Sequence, residues 1–231
     1  MVSKPARSER IVVFAILGLA AALRVVAAIV LPDQSHALLD AVSYRDSAAH
    51  LLQTWQIGNL FQMPLYPLLI AITGPGLGQL GADIALSVTS VWLVYELADD
   101  LFADEYARLF AAAATACYPP LIFFSVVGLS ETLFIALVLA AFLYWYRGRF
   151  IVAAIFSVLA ILTRPVFDLF APVLVLLFAL IVHRMSVTKA LQQLGIYVLV
   201  YCALMTPWWV HNAKAYGSFV RLTPSAGTVL Y

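Results

Sequence analysis

The sequence predicts an all-α membrane protein of about seven transmembrane helices, with a helical juxtamembrane loop on the outer face after the first span. Three observations carry that expectation. Of 231 residues, 64% are hydrophobic and 11% charged, whereas soluble domains carry about 25% charged residues. The mean hydropathy is +0.98. The apolar residues also collect into runs of membrane length, about 20 residues at roughly 1.5 Å of helix rise each. Lipid is therefore the solvent for most of the chain, and its backbone polar groups have to be satisfied within helices. The net charge of +1, without a basic patch interleaved with aromatics, argues against nucleic acid as a partner.

The first run, 11–31, follows the basic stretch MVSKPARSER. It is longer than the 7–15 residues of a signal-peptide core, Arg24 interrupts it, and no small-x-small cleavage site follows. It reads as an uncleaved first span. Next comes the polar-to-aromatic stretch LLDAVSYRDSAAHLLQTWQIGNLFQMPLYP, residues 38–67. Residues 40–56 are expected to form an amphipathic helix at the outer interface, with Val42, Ala49, Leu52 and Trp55 on one face. Met63 to Thr73 is too short to cross and is bracketed by Pro64, Pro67, Gly74, Pro75 and Gly76, so a re-entrant or juxtamembrane element is expected there. Further spans are expected at 80–101, 106–126, 128–146, 150–165, 166–183 and 190–209. All belong to a single domain over 1–231, with 32–79 as the outer loop and 210–231 as an outer C-terminal segment. That last segment ends without a following element, which suggests a minimal module or a truncated product.

Charge placement orients the chain. With the N-terminus cytoplasmic, Lys4, Arg7, Arg10, Arg108, Arg147, Arg149, Arg184 and Lys189 fall inside, and Arg45, Arg164, Lys214 and Arg221 outside. The expected location is the inner (plasma) membrane, with the loop after the first span extracytoplasmic. The acidic turn ADDLFADEYAR is expected to be a solvated interhelical turn. Cys117 and Cys202 lie inside apolar runs and are expected to be small buried hydrophobes. Spans two to seven read mostly as Ala, Leu, Val and Phe, which argues against a polar path for a transported solute.

Candidate chemistry gathers at the outer side. Asp40 either caps its helix or is a carboxylate held at the surface as a general base. Arg24, inside the first span, pairs, meets a phosphate or snorkels. Glu131 opens the fourth span with Ser130 as cap. Together with Arg24, the residues Arg164, His211, Lys214 and Arg221 form an outward set of cationic or potentially cationic groups suited to a lipid-linked phosphate. No Ser-His-Asp order, HExxH, Walker loop or GxGxxG fingerprint is present.

Read in order, the pieces ALR, DAVSY, MPLYPLLIAITG, LVYELADDLF, ACYPPLIFFSVVGLSETLF, LTRPVFDLFAP and PWWVHNAKAYGSFVRLTPSAG resemble the GT-C superfamily of membrane glycosyltransferases. These include protein mannosyltransferases, the aminoarabinose transferase acting on lipid A and rhizobial galacturonosyltransferases. The resemblance implies transfer of a sugar from a polyprenyl-phosphate donor to a glycan, lipid or protein acceptor on the non-cytoplasmic side. It implies Asp40 as base, Tyr44 and Tyr66 shaping the pocket, and Glu131 and Arg164 at recurring SE and RP positions. No cofactor is required; a divalent metal can assist at Asp40 and Asp46. The chain departs from the pattern at Gln62-Met63, where R-P is usual, and at His211, where R-N is usual. The alternative is a non-catalytic or truncated subunit that binds lipid-linked donor, or a second chain that completes the enzyme.

Overall fold

The computed structural model describes residues 7–31, 38–54, 56–58 and 61–223, and these are all-α. Three helices are long and apolar enough to cross a membrane: α1 (Arg7–Val30), α4 (Leu77–Leu101) and α10 (Val187–Tyr216). At about 1.5 Å per residue they reach roughly 36, 38 and 45 Å. Before α4 come α2 (Leu39–Thr54) and α3 (Leu65–Thr73). The nine residues of α3 extend only about 14 Å, short of the roughly 30 Å hydrocarbon core. A tight Gly74-Pro75-Gly76 turn joins α3 to α4, with φ of 83° and 72° at the two glycines. Gly78 follows because a Cβ there would stand 1.9 Å from the Thr73 carbonyl oxygen.

The other expected spans are shorter or interrupted. The run 106–126 is two helices, α5 (Glu105–Ala116) and α6 (Pro119–Phe124). Pro119 and Pro120 lack N–H donors, and Tyr118 before them is extended, with ψ of 114°. After them come α7 (Glu131–Tyr146), α8 (Phe150–Ile161) and α9 (Phe170–Leu177). A 3-10 turn, Pro165–Asp168, precedes α9, and a π turn, Phe178–Val182, continues it. Arg184 then closes the turn in the left-handed region, with φ of 49°.

The chain divides into two compact units, residues 1–42 with 73–139, and residues 43–72 with 140–231. In the first, α1 packs on α4 and α5 through Val13, Ala20, Val91, Tyr95, Ala112 and Ala116. Small residues at these positions let helices approach closely where lipid offers no hydrophobic drive. In the second, α10 packs on α8 and α9. Fully buried Trp145 stacks on Phe178 at 5.6 Å between ring centres, and the Leu65 N–H donates to the Leu162 carbonyl at 3.0 Å, fastening α3 to the end of α8.

Burial corrects one expectation, that for the cysteines. The buried positions of α2 are Ala41, Tyr44, Ser47 and Ala48, while Ala49 and Leu52 are exposed and Val42 is half-buried, which leaves those apolar side chains outward. Trp55 lies outside the described residues. Cys117 and Cys202 are both exposed rather than buried. The reason is the solvent: a lipid-facing position is as apolar as a core one, so an apolar neighbourhood in the sequence does not reveal which way a side chain points.

Candidate functional site

In the first unit two buried arginines, Arg24 and Arg108, are held by the protein itself. Arg24 is fully buried and so is not part of an outward rim. Its Nε donates to Ser87 Oγ at 2.7 Å, and its Nη1 donates to the carbonyls of Ala20 at 2.9 Å and Ala116 at 3.1 Å. The last contact has a clear cause. In a continuous helix the Ala116 carbonyl would accept the N–H of residue 120, which is a proline. Arg24 supplies the missing donor from another helix, and Ser87 Oγ does the same for the Leu121 carbonyl at 3.3 Å.

Ser87 belongs to a stripe on α4, Gln79, Asp83, Ser87 and Ser90, all 2% exposed or less. Their helical spacing puts them on one side.

A second network joins α1, α4 and α5. The Tyr95 hydroxyl donates to Glu9 Oε1 at 2.9 Å, Arg108 Nη2 pairs with the same oxygen at 2.9 Å, and Arg108 Nη1 pairs with Asp99. Part of the turn expected to be solvated is therefore structural, and Asp104 caps α5 by accepting from the Tyr106 and Ala107 N–H groups.

Asp40 lies in the first turn of α2 and is exposed. It is inside the helix rather than at its cap, where a carboxylate complements the N-terminal end of the helix dipole. Glu131, half-buried, opens α7 behind fully buried Ser130, whose carbonyl accepts the Phe134 N–H at 3.0 Å.

The second unit is built differently. Tyr44 and Tyr66, both buried, meet edge to face at 5.0 Å and lock α2 onto α3. Asp46 is exposed, and Arg164 is half-buried at the start of the 3-10 turn. The sides of α10 carry two cavities. One, of about 380 Å³, is lined by the polar groups Thr54, Gln56, His211 and Lys214. The other, of about 290 Å³, is lined by Leu51, Leu68, Leu162, Leu204 and Trp208 among others. Pro207 and His211 belong to both walls, so a cationic chamber and an apolar one adjoin. The His211 ring stacks on Trp208 at 5.3 Å and 14°, which sets its plane. Asp40 lines neither cavity.

Arg221, expected as an open cation, is engaged. Its Nη2 pairs with Asp168 Oδ2 at 2.7 Å and its Nε donates to the Tyr201 hydroxyl at 3.2 Å. The Tyr201 bond first, and the Asp168 carboxylate further, hold its proton affinity above the ordinary value against the opposing cost of burial.

The structure thus brings His211 and Lys214 together and Tyr44 onto Tyr66. It leaves Asp40 and Asp46 at the surface and encloses Arg24. Sequence reasoning missed Asp168, Tyr201 and Glu9. Asp168 carried a usable signal, a lone carboxylate within the apolar run PVFDLFAP; Glu9 carried none among its charged neighbours. Among the described residues, no three His, Cys, Asp or Glu side chains converge as a metal site.

Comparison with protein-family models, curated proteins and solved structures finds no match to this chain. On its own residues the molecule is an all-α chain with three helices suited to crossing a membrane. One of its units holds a cationic cavity against an apolar one.

Proposed function

We propose that this protein is a membrane glycosyltransferase of GT-C-like architecture. It would move a sugar, with inversion, from a polyprenyl-phosphate donor to a glycan, lipid or protein acceptor at the extracytoplasmic face of the inner membrane. In this reading the four shorter or broken helical runs cross the membrane alongside the three long helices, with the N-terminus inside. The observation that carries the proposal is the junction at Pro207 and His211, where a chamber bearing Lys214 adjoins one walled by leucines and Trp208. A phosphate on a prenyl chain has that same division, an anionic head on an apolar tail.

The chemistry asks little of the protein. The acceptor O–H bond breaks as its proton passes to a carboxylate. The oxygen bonds to the anomeric carbon, and the bond to phosphate breaks, leaving polyprenyl phosphate. Lys214 and His211 stabilise the charge that gathers on the departing phosphate. Asp40 is the base this reading names, and Asp46 is a companion if a divalent metal assists.

A second reading, a lipid-binding subunit without turnover, is favoured by one observation: Asp40 is exposed. Purified chain in nanodiscs, given a labelled polyprenyl-phosphate sugar and membrane extract as acceptor, separates the two. Transfer that falls about 100-fold or more in Asp40→Asn, the scale of general-base catalysis, supports the enzyme. Donor binding without turnover supports the subunit.

A further inference from the structure

The chamber that bears Lys214 takes part of its polar wall from the end of α2, through Thr54 and Gln56. Ile57, one residue on, belongs to the wall of the apolar cavity. The Ile57 backbone is also a hydrogen-bonding partner of the His211 ring, and His211 lies in both walls. The stretch that leaves α2 therefore runs along the junction of the two cavities. Helix geometry does not hold it there. Gln56 lies beyond the end of α2 at Thr54, where the backbone has left the helical ladder and needs other partners.

His50 supplies them. It stands one turn before Thr54 and so shares a side of α2 with it. The His50 Nδ1 lies 2.8 Å from the Gln56 carbonyl oxygen and 3.0 Å from Thr54 Oγ1. A carbonyl oxygen only accepts, so Nδ1 carries a proton and donates. The Thr54 hydroxyl donates in turn to the His50 carbonyl at 2.8 Å, and its oxygen accepts the Gln56 N–H at 3.2 Å. Both backbone polar groups of Gln56 are thus held from α2. A second proton on the imidazole would go to Nε2, so the Nδ1 bond persists in either charge state.

Gly58 makes room for this ring. A Cβ there would stand 3.0 Å from His50 Cγ and 3.2 Å from His50 Cβ, so a larger residue would press on the imidazole. The consequence for the chamber is preorganisation. Wall groups fixed before a ligand arrives give up less freedom when it binds.

We infer that His50 is a positioning residue: by donating to the Gln56 carbonyl it sets Thr54 and Gln56 in the polar wall that receives the phosphate of the prenyl-linked donor. The inference rests on the donor reading above. It adds to that reading a residue outside the chamber and a cause for the chamber's shape.

The test uses the full chain in detergent, titrated with farnesyl phosphate and with farnesol and read by tryptophan fluorescence. Wild type is expected to bind farnesyl phosphate about tenfold tighter than farnesol or better, the scale of a charge-assisted contact. His50→Phe keeps a ring but removes the donor. It is expected to shrink that preference about threefold to tenfold, the scale of one net hydrogen bond, with farnesol affinity changed by less than about twofold. His50→Asn places an amide N–H as many bonds from Cβ as Nδ1 and is expected to restore most of the preference. Gly58→Ala, which presses on the ring, is expected to act in the same direction as His50→Phe. An undiminished preference in His50→Phe, equal losses for both ligands, or no rescue by His50→Asn overturns the positioning role alone. Gly58→Ala decides the matter should His50→Phe fail to fold. Absence of any phosphate preference in wild type overturns the donor reading and this inference together.

Discussion

The two units use their cations in different ways: Arg24 and Arg108 of the first are buried, whereas Lys214 and Arg221 of the second are exposed. In the first, Arg24 serves the Ala20 and Ala116 carbonyls and Ser87, and Arg108 serves Glu9 and Asp99. Both cations join helices of their own unit. In the second, Lys214 and His211 stand at a cavity wall, and Arg221 is engaged along one edge while still half-exposed. The same residue types thus serve cohesion in one region and presentation in the other. The supply of unmet protein acceptors separates the two roles. A proline-broken helix creates such acceptors, and a buried arginine nearby is drawn to them.

This contrast is sharpened most by Arg24→Met, which keeps the side-chain bulk but leaves the Ala116 carbonyl and Ser87 without their donor. A loss of about 3–6 kcal/mol of stability is expected from two charged hydrogen bonds at roughly 1.5–3 kcal/mol each. Thermal unfolding in nanodiscs reads it. Adding Pro120→Ala restores an N–H at the helix break, and the double variant is expected to regain part of the loss. Without such coupling in the double-mutant cycle, the account of Arg24 as a substitute donor fails.

Lys214→Ala should do the reverse. It is expected to lower farnesyl phosphate affinity about tenfold, on the scale of one charge-assisted contact, with the unfolding midpoint unchanged. A drop in stability instead would place Lys214 among the cohesive charges of the other unit.

The smallest effect is expected at the two thiols. Cys117→Ala and Cys202→Ala, both at exposed positions, should each alter stability by less than about 0.5 kcal/mol. Thermal unfolding in nanodiscs reads the effect.

Much of the architecture was legible in composition and spacing. The hydropathy runs located α1, α4 and α10, and counting residues was enough to show that α3 is too short to cross. The interruption between α5 and α6 was legible too, in the Pro119-Pro120 pair, although the run reads as one apolar stretch if hydropathy alone is followed. The polar stripe on α4 could be found from its four-residue spacing, but only by asking which face it occupies rather than how apolar the helix is on average. For the candidate site, His211 and Lys214 were visible as a pair one turn apart, and they do line one cavity. Asp168 stood out as a lone carboxylate in an apolar run, but its partners, Tyr201 and Arg221, are more than thirty residues away in the chain and could not be read from the sequence.

From the sequence by itself came the all-α class and the long apolar helices, since each depends on local composition, helix rise and the cost of bare backbone in lipid. Tertiary structure alone decided that Arg24 mends a broken helix, that Glu9 meets Arg108 and that Asp168 grips Arg221. Each of those bonds joins residues far apart in the chain. A buried charge takes whatever partner packing brings within about 3 Å, and only the folded chain determines which partner that is.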